Sequence, residues 1–365
     1  MPACLSTRPL RRRAGLFLCV LALLIGCRSE APSPVPPVNP AWERQESGTT
    51  ERLQAVSIVS AEVVWASGTG GTYALTTDGG TTWRSGVVPG ADTLQFRDVH
   101  GVDARTAYLL AAGPGAASRI YKTTDGGASW TLQFTNPEPD GFFDCFDFWD
   151  ATHGIAFSDA LDGRHYLIAT EDGTTWHRLP PEALPEALPG EGAFAASGTC
   201  VVTHPGGHVW VGTGASTVAA RVLHSADYGR TWAVAETPLV HDTPASGIYT
   251  LAFLDVRHGM ALGGDYTRSD SLLTRTAART RDGGRTWSLA GAPPLRGAVF
   301  GAAYVPGLPT PTLIAVGPDG SALSTDDGQT WTRFDDASYW SVAARGPEAT
   351  WAVGPDGRLA RLRLR

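Results

Sequence analysis

One short pattern recurs through this chain and limits its fold more than any other feature. TTDGGTTW at 76–83 returns as TTDGGASW at 123–130, TEDGTTW at 170–176, SADYGRTW at 225–232, TRDGGRTW at 280–287 and STDDGQTW at 324–331. The common form is Ser/Thr-x-Asp-x-Gly-x-Thr-Trp, and the copy at 170 is one residue shorter. Its tryptophans are separated by 47, 46, 56, 55 and 44 residues. A period in that range marks repeated supersecondary units that stack on one another.

Each unit has the same internal plan. In 248–287, IYTLAFL and MALGG read as strands on either side of the turn DVRHG. A loop then leads to LLTRTAART, and the Asp-containing turn separates that segment from TWSL. Short β-rich runs between Gly and Asp turns describe a four-stranded antiparallel sheet. Helical periodicity is nearly absent. Such sheets set around an axis make an all-β propeller. WAVGPDG at 351–357 repeats IAVGPDG at 314–320, so a seventh unit begins there but lacks its fourth strand. Residues 41–46, with Trp42, supply it. The expectation is a seven-bladed ring closed by pairing its N- and C-terminal strands, which removes an exposed sheet edge.

The repeated residue types are explained by the turn itself. Asp78, Asp125, Asp172, Asp227, Asp282 and Asp326 accept backbone N–H groups, as in Asx-turns. The glycines supply positive φ, and the hydroxyls satisfy nearby backbone groups. Trp83, Trp130, Trp176, Trp232, Trp287 and Trp331 wedge between neighbouring blades and bury apolar area.

The N-terminus reads as an address. Basic residues at 8–13 precede an apolar run that ends in LLIGC at Cys27. That is the plan of a secretory signal, too short for a comfortable membrane-spanning helix. A Pro-rich spacer follows at 28–40 and the propeller at 41–365. Net charge is −7, without a basic stripe for nucleic acid. The nine histidines are scattered, and no CxxC, haem or dinucleotide motif stands in its required context, so no cofactor or metal is expected. Cys145 and Cys200 remain after export. An oxidising compartment permits a bridge between them, and two buried thiols fit equally well.

The repeated turn resembles the Asp-box, or bacterial neuraminidase repeat, of sialidases, sortilin-type receptors and photosystem II assembly-factor propellers. FWDATHGIAFSD at 148–159, followed by ATEDGTTW, is most similar to the assembly-factor group. LLIGC resembles a lipobox, which implies lipidation of Cys27 and an envelope-anchored protein, sorted to the outer membrane in a Gram-negative cell. The resemblance implies a fold that hosts both enzymes and scaffolds, so function rests on a site.

That site is expected on the face opposite the Asp-boxes, where loops vary. Alignment of the blades on their first turns gives one ring position, held by Gln54, Arg97, Asp144, Tyr249 and Trp340. With Asp159, Arg164, Glu191, Asp265 and Tyr266, these residues are expected to surround a polar cavity. The preferred reading is a non-catalytic scaffold, monomeric as a propeller, for an envelope protein partner or a glycan. The alternative is a glycoside hydrolase. It lacks the Arg-Ile-Pro signature of sialidases, and it needs Asp144, Asp159, Glu191 or Asp265 to supply two carboxylates at a defined separation.

Overall fold

The computed structural model describes residues 39–364. The expected signal, Cys27 and the spacer up to residue 38 lie outside the described residues. No helix among the described residues is long and apolar enough to cross a membrane. The chain forms seven four-stranded antiparallel sheets. Their innermost strands are Leu53–Ile58, Phe96–Gly101, Phe143–Phe148, Val201–His204, Ser246–Phe253, Gly301–Tyr304 and Ser341–Gly346, which open blades 1 to 7 in order.

The seventh sheet draws its fourth strand from the other end of the chain. Pro40–Gln45 pairs antiparallel with Leu359–Leu364, with Trp42 opposite Leu362. The ring is therefore closed by a strand that lies one residue earlier than the sequence suggests.

Burial explains the composition of each blade. Second and third strands such as Val64–Gly68, Thr72–Thr76 and Ala107–Ala111 are buried along their whole length. A strand covered on both faces reads as a continuous run of apolar and small residues rather than an alternation. Outermost strands such as Arg84–Val87 and Thr131–Thr135 are only half-buried.

Seven apolar clusters fill the seven blade interfaces, and each includes one tryptophan from an outermost-strand position. Trp83 packs edge-on against Trp351 at 5.4 Å, and Trp130 against Trp65 at 6.2 Å. Trp42 completes the series between blades 6 and 7, against Phe334 and Tyr339. Its indole N–H donates to Ser321 Oγ at 2.9 Å. Fully buried Trp65, Trp210 and Trp351 on the second strands form the centres of three of these interfaces.

Five of the six aspartate turns repeat one pattern of four hydrogen bonds, and the shortened copy at 170–176 keeps three of them. At 76–83, Thr76 Oγ1 donates to Asp78 Oδ1 at 2.8 Å and accepts from Gly80 N at 2.9 Å. Thr82 donates its N–H to Asp78 Oδ1 at 2.9 Å and its hydroxyl to Oδ2 at 2.6 Å. The turn at 280–287 has the same four bonds within 0.1 Å. These groups are spent on each other, which identifies the turn as a structural fastener.

Candidate functional site

A β-bulge sits near the start of the innermost strand in blades 1, 2, 3 and 5. The sheet register skips one residue there, and the skipped residues are Gln54, Arg97, Asp144 and Tyr249. A bulge re-aims a side chain out of the pleat. The variable ring position thus coincides with a conformational device that points these side chains away from the ladder.

The segment joining blade 3 to blade 4 fills the space they face. Residues 192–200, GAFAASGTC, touch four other blades. Ser197 Oγ donates to the Phe300 carbonyl of blade 6 at 2.7 Å, and Ser341 Oγ of blade 7 donates to the Ser197 carbonyl at 3.1 Å. Thr199 Oγ1 lies 2.7 Å from Thr250 Oγ1 of blade 5. Arg97 Nη1 of blade 2 donates to the Ala195 carbonyl at 3.2 Å. Gly198 has φ of +80°, and a Cβ there would stand 2.2 Å from Asp98 Oδ1, so only glycine fits. A disulfide between Cys145 and Cys200 fixes the segment to blade 3. The segment is a stopper across the axis. A 550 Å³ axial cavity remains, lined by strands of all seven blades and by Ser197, Gly198 and Thr199.

The stopper changes what the candidate residues do. Four of the eight named for the binding face, Asp144, Glu191, Tyr249 and Asp265, are sealed from solvent. This corrects the expectation of an open polar cavity around them. Tyr249 stacks on Phe194 of the stopper at 4.1 Å and 8°, and donates to the Ala245 carbonyl at 2.6 Å. Phe300 and Trp340 extend the aromatic stack, and Arg52 lies 4.9 Å over the Trp340 ring. Asp265 caps the 3-10 turn Tyr266–Arg268 by accepting from Thr267 N at 2.8 Å, and it also takes Thr243 Oγ1 at 2.7 Å. Glu191 is saturated by Arg221 Nε at 2.8 Å, Thr213 Oγ1 at 2.6 Å and Leu188 N at 2.8 Å.

Asp144 and Asp159 do come together. The two carboxyls are near enough for Asp159 to perturb Asp144, and Asp159 Oδ1 accepts from Ala193 N at 3.1 Å, while Asp144 Oδ2 is buried without a hydrogen-bond partner. Burial pushes Asp144 well above the usual carboxylate range, and the neighbouring Asp159 adds to the shift. Burial likewise raises Asp159, to about 6. Both shifts favour the protonated carboxyl. Glycoside hydrolysis needs two carboxyls flanking a bond that substrate can reach, and Asp144 is sealed from solvent. Glu191 is bound elsewhere, so this cluster does not assemble the pair that glycoside hydrolysis needs.

The accessible part of the loop face lies outside the stopper. Tyr266 is 54% exposed, and half-exposed Arg164 stands 3.6 Å from Glu186. A 630 Å³ cavity beside the 180–190 loop opens there, and its lining includes Asp140, Asp159, Gly163, Leu188 and Pro189. Sequence reasoning missed Asp98, a buried carboxyl on the axis that accepts Phe146 N and Val99 N, each at 2.8 Å. Its signal was adjacency to Arg97 at the bulge.

These features define a seven-bladed propeller with a closed axis and an irregular loop face. No family model matches the chain, and no curated protein sequence matches it. Solved structures match over 88% of it. It is similar to YCF48 bound to D1 peptide, at 18% identity and a TM-score of 0.61 over 95% of that chain. It is also similar to YCF48 from Cyanidioschyzon merolae, at 15% and 0.63 over 99%. The WD40 propeller domain of Doa1 matches at 13% and 0.56 over 97%. At these identities the likeness is one of fold.

Proposed function

We propose that this chain is a non-catalytic scaffold that holds a segment of a partner protein on its loop face. The observation that carries this reading is the enclosed state of the acids: Glu191 and Asp265 are saturated, and Asp144 is sealed from solvent. What remains free is a rim of loops around a sealed axis. YCF48 bound to D1 peptide, a fold neighbour, supports a peptide as the class of partner. The recurring turns fit the Asp-box repeat, and the assembly-factor group remains the nearest functional analogy. Cys27 anchors the chain through lipid, and the Pro-rich spacer holds the propeller clear of the envelope membrane.

A photo-cross-linking residue placed at Tyr266 or Arg164 on the loop face, in cells, should capture one discrete protein partner. The same probe at Thr82, on the aspartate-turn face, should not. Equal capture from both faces, or none from the loop face, removes this reading. Cys27→Ser should move the protein from the membrane fraction to the soluble exported fraction. Retention in the membrane would remove the anchor.

A further inference from the structure

The aspartate-turn face is not uniform. In the turn at 225–232, Tyr228 occupies the place held by Gly79, Gly126 and Gly283 in other copies, and it adopts φ of +62°. A bulky residue in left-handed backbone is a strained outlier, and such strain collects where a side chain is needed for function. Tyr228 is also 42% exposed although aromatic.

Tyr228 faces a cleft between blades 3 and 4. The shortened turn at 170–176 and the two-residue outermost strand His177–Arg178 of blade 3 leave that space open. The cleft measures 520 Å³. Trp149 and Tyr228 meet there at a ring separation of 5.2 Å and an interplanar angle of 62°, forming an aromatic corner. Trp149 is fixed by donation of its indole N–H to the His208 carbonyl at 2.7 Å. Leu179 and Pro180 make an apolar wall, and Glu171 and Arg230 stand at the rim. The Asp150 carboxylate beside them is held by His153 Nδ1 at 2.9 Å and by the Thr152 and His153 backbone N–H groups.

We infer that this cleft is a binding site for a neutral saccharide, independent of the loop-face reading. The aromatic corner suits the C–H faces of a pyranose ring, because an aromatic face takes apolar contact while polar groups nearby take the rest. One carboxylate and one guanidinium at the rim serve hydroxyl groups as acceptor and donor. Asp150 and Glu171 share the lining with Arg230, so acceptors and a donor are both available to ligand hydroxyls. The volume accommodates a mono- or disaccharide within the range of small-ligand clefts.

The test uses the purified full chain, titrated calorimetrically with maltose, cellobiose, lactose and N,N′-diacetylchitobiose, with argininamide and acetate as charged controls. At least one disaccharide should bind. Tyr228→Gly restores the residue type found at Gly79, Gly126 and Gly283, so its melting temperature should not fall, yet its saccharide affinity should drop at least tenfold. Arg230→Ala should weaken binding several-fold. The inference is overturned if no disaccharide binds, if Tyr228→Gly binds as tightly as the natural chain, or if only argininamide or acetate binds.

Discussion

The aspartates divide into two populations whose pH effects have opposite sign. In the turns, Asp125 is lowered to about 2, chiefly by the Ser129 hydroxyl, and Asp172 likewise by the backbone N–H of Thr175. A carboxyl depressed in the folded state stabilises it above the unfolded value, about 4, and that contribution is lost as pH falls toward 2. Asp159 is raised to about 6 by burial, so its contribution is complete below about 4 and is lost as pH rises through 6. Asp144→Asn removes a second buried carboxyl whose shift has this same sign. Urea denaturation midpoints measured at pH 4.5 and pH 7 should show a decline in the natural chain and a flatter profile in this variant. An unchanged slope would remove the Asp144 carboxyl from the account. At the turns, Asp282→Ala strips acceptors from Thr286 and Thr280. The loss should resemble that of a helix N-cap, about 1–2 kcal/mol in chemical denaturation.

At the scale of elements, Trp42 does for blade 7 what the six motif tryptophans do for the others. It is half-buried, so Trp42→Ala should cost about 2–3 kcal/mol, below the range for a fully buried Trp. The measurement is the unfolding free energy. A change under half a kcal/mol would mean that the first strand contributes little to closure. This element was legible in advance because WAVGPDG announces a blade and its missing strand has only one source. The shared ring position of Gln54, Arg97, Asp144 and Tyr249 was legible by alignment on the first turns, but the bulge that re-aims them was not, and Trp340, aligned with them, precedes its strand and is not bulged. The stopper was not. GAFAASGTC has neither strand periodicity nor turn chemistry, and its partners in blades 2, 5, 6 and 7 are set by the ring rather than by its neighbours in sequence. With the stopper unseen, Asp144, Glu191, Tyr249 and Asp265 read as cavity residues, although each is enclosed. Tyr228 was legible only as a departure from glycine, and its cleft required knowing what blade 3 omits.

At the scale of the molecule, the Cys145–Cys200 bridge joins two blades and fixes the stopper. It spans 55 residues, and the loss of loop-closure entropy gives about 4 kcal/mol of stabilisation. The double variant Cys145→Ala, Cys200→Ala should lose roughly that amount in denaturant unfolding. Its near-ultraviolet circular dichroism should also change, as the Phe194–Tyr249 stack loses its tether. A loss well under 1 kcal/mol would show that the ring seats the stopper unaided.

Ring closure also sets a schedule. Pro40 pairs with Leu364, a separation of 364 − 40 = 324 residues. Pairings so distant in sequence are slow to form. During synthesis the strand around Trp42 emerges first, and its partner at 359–364 emerges long afterwards. Blades 1 to 6 can each form as their own residues appear, but blade 7 waits with an open edge. The vulnerable species is thus an almost complete horseshoe, and its lifetime is set by how quickly the last strand arrives.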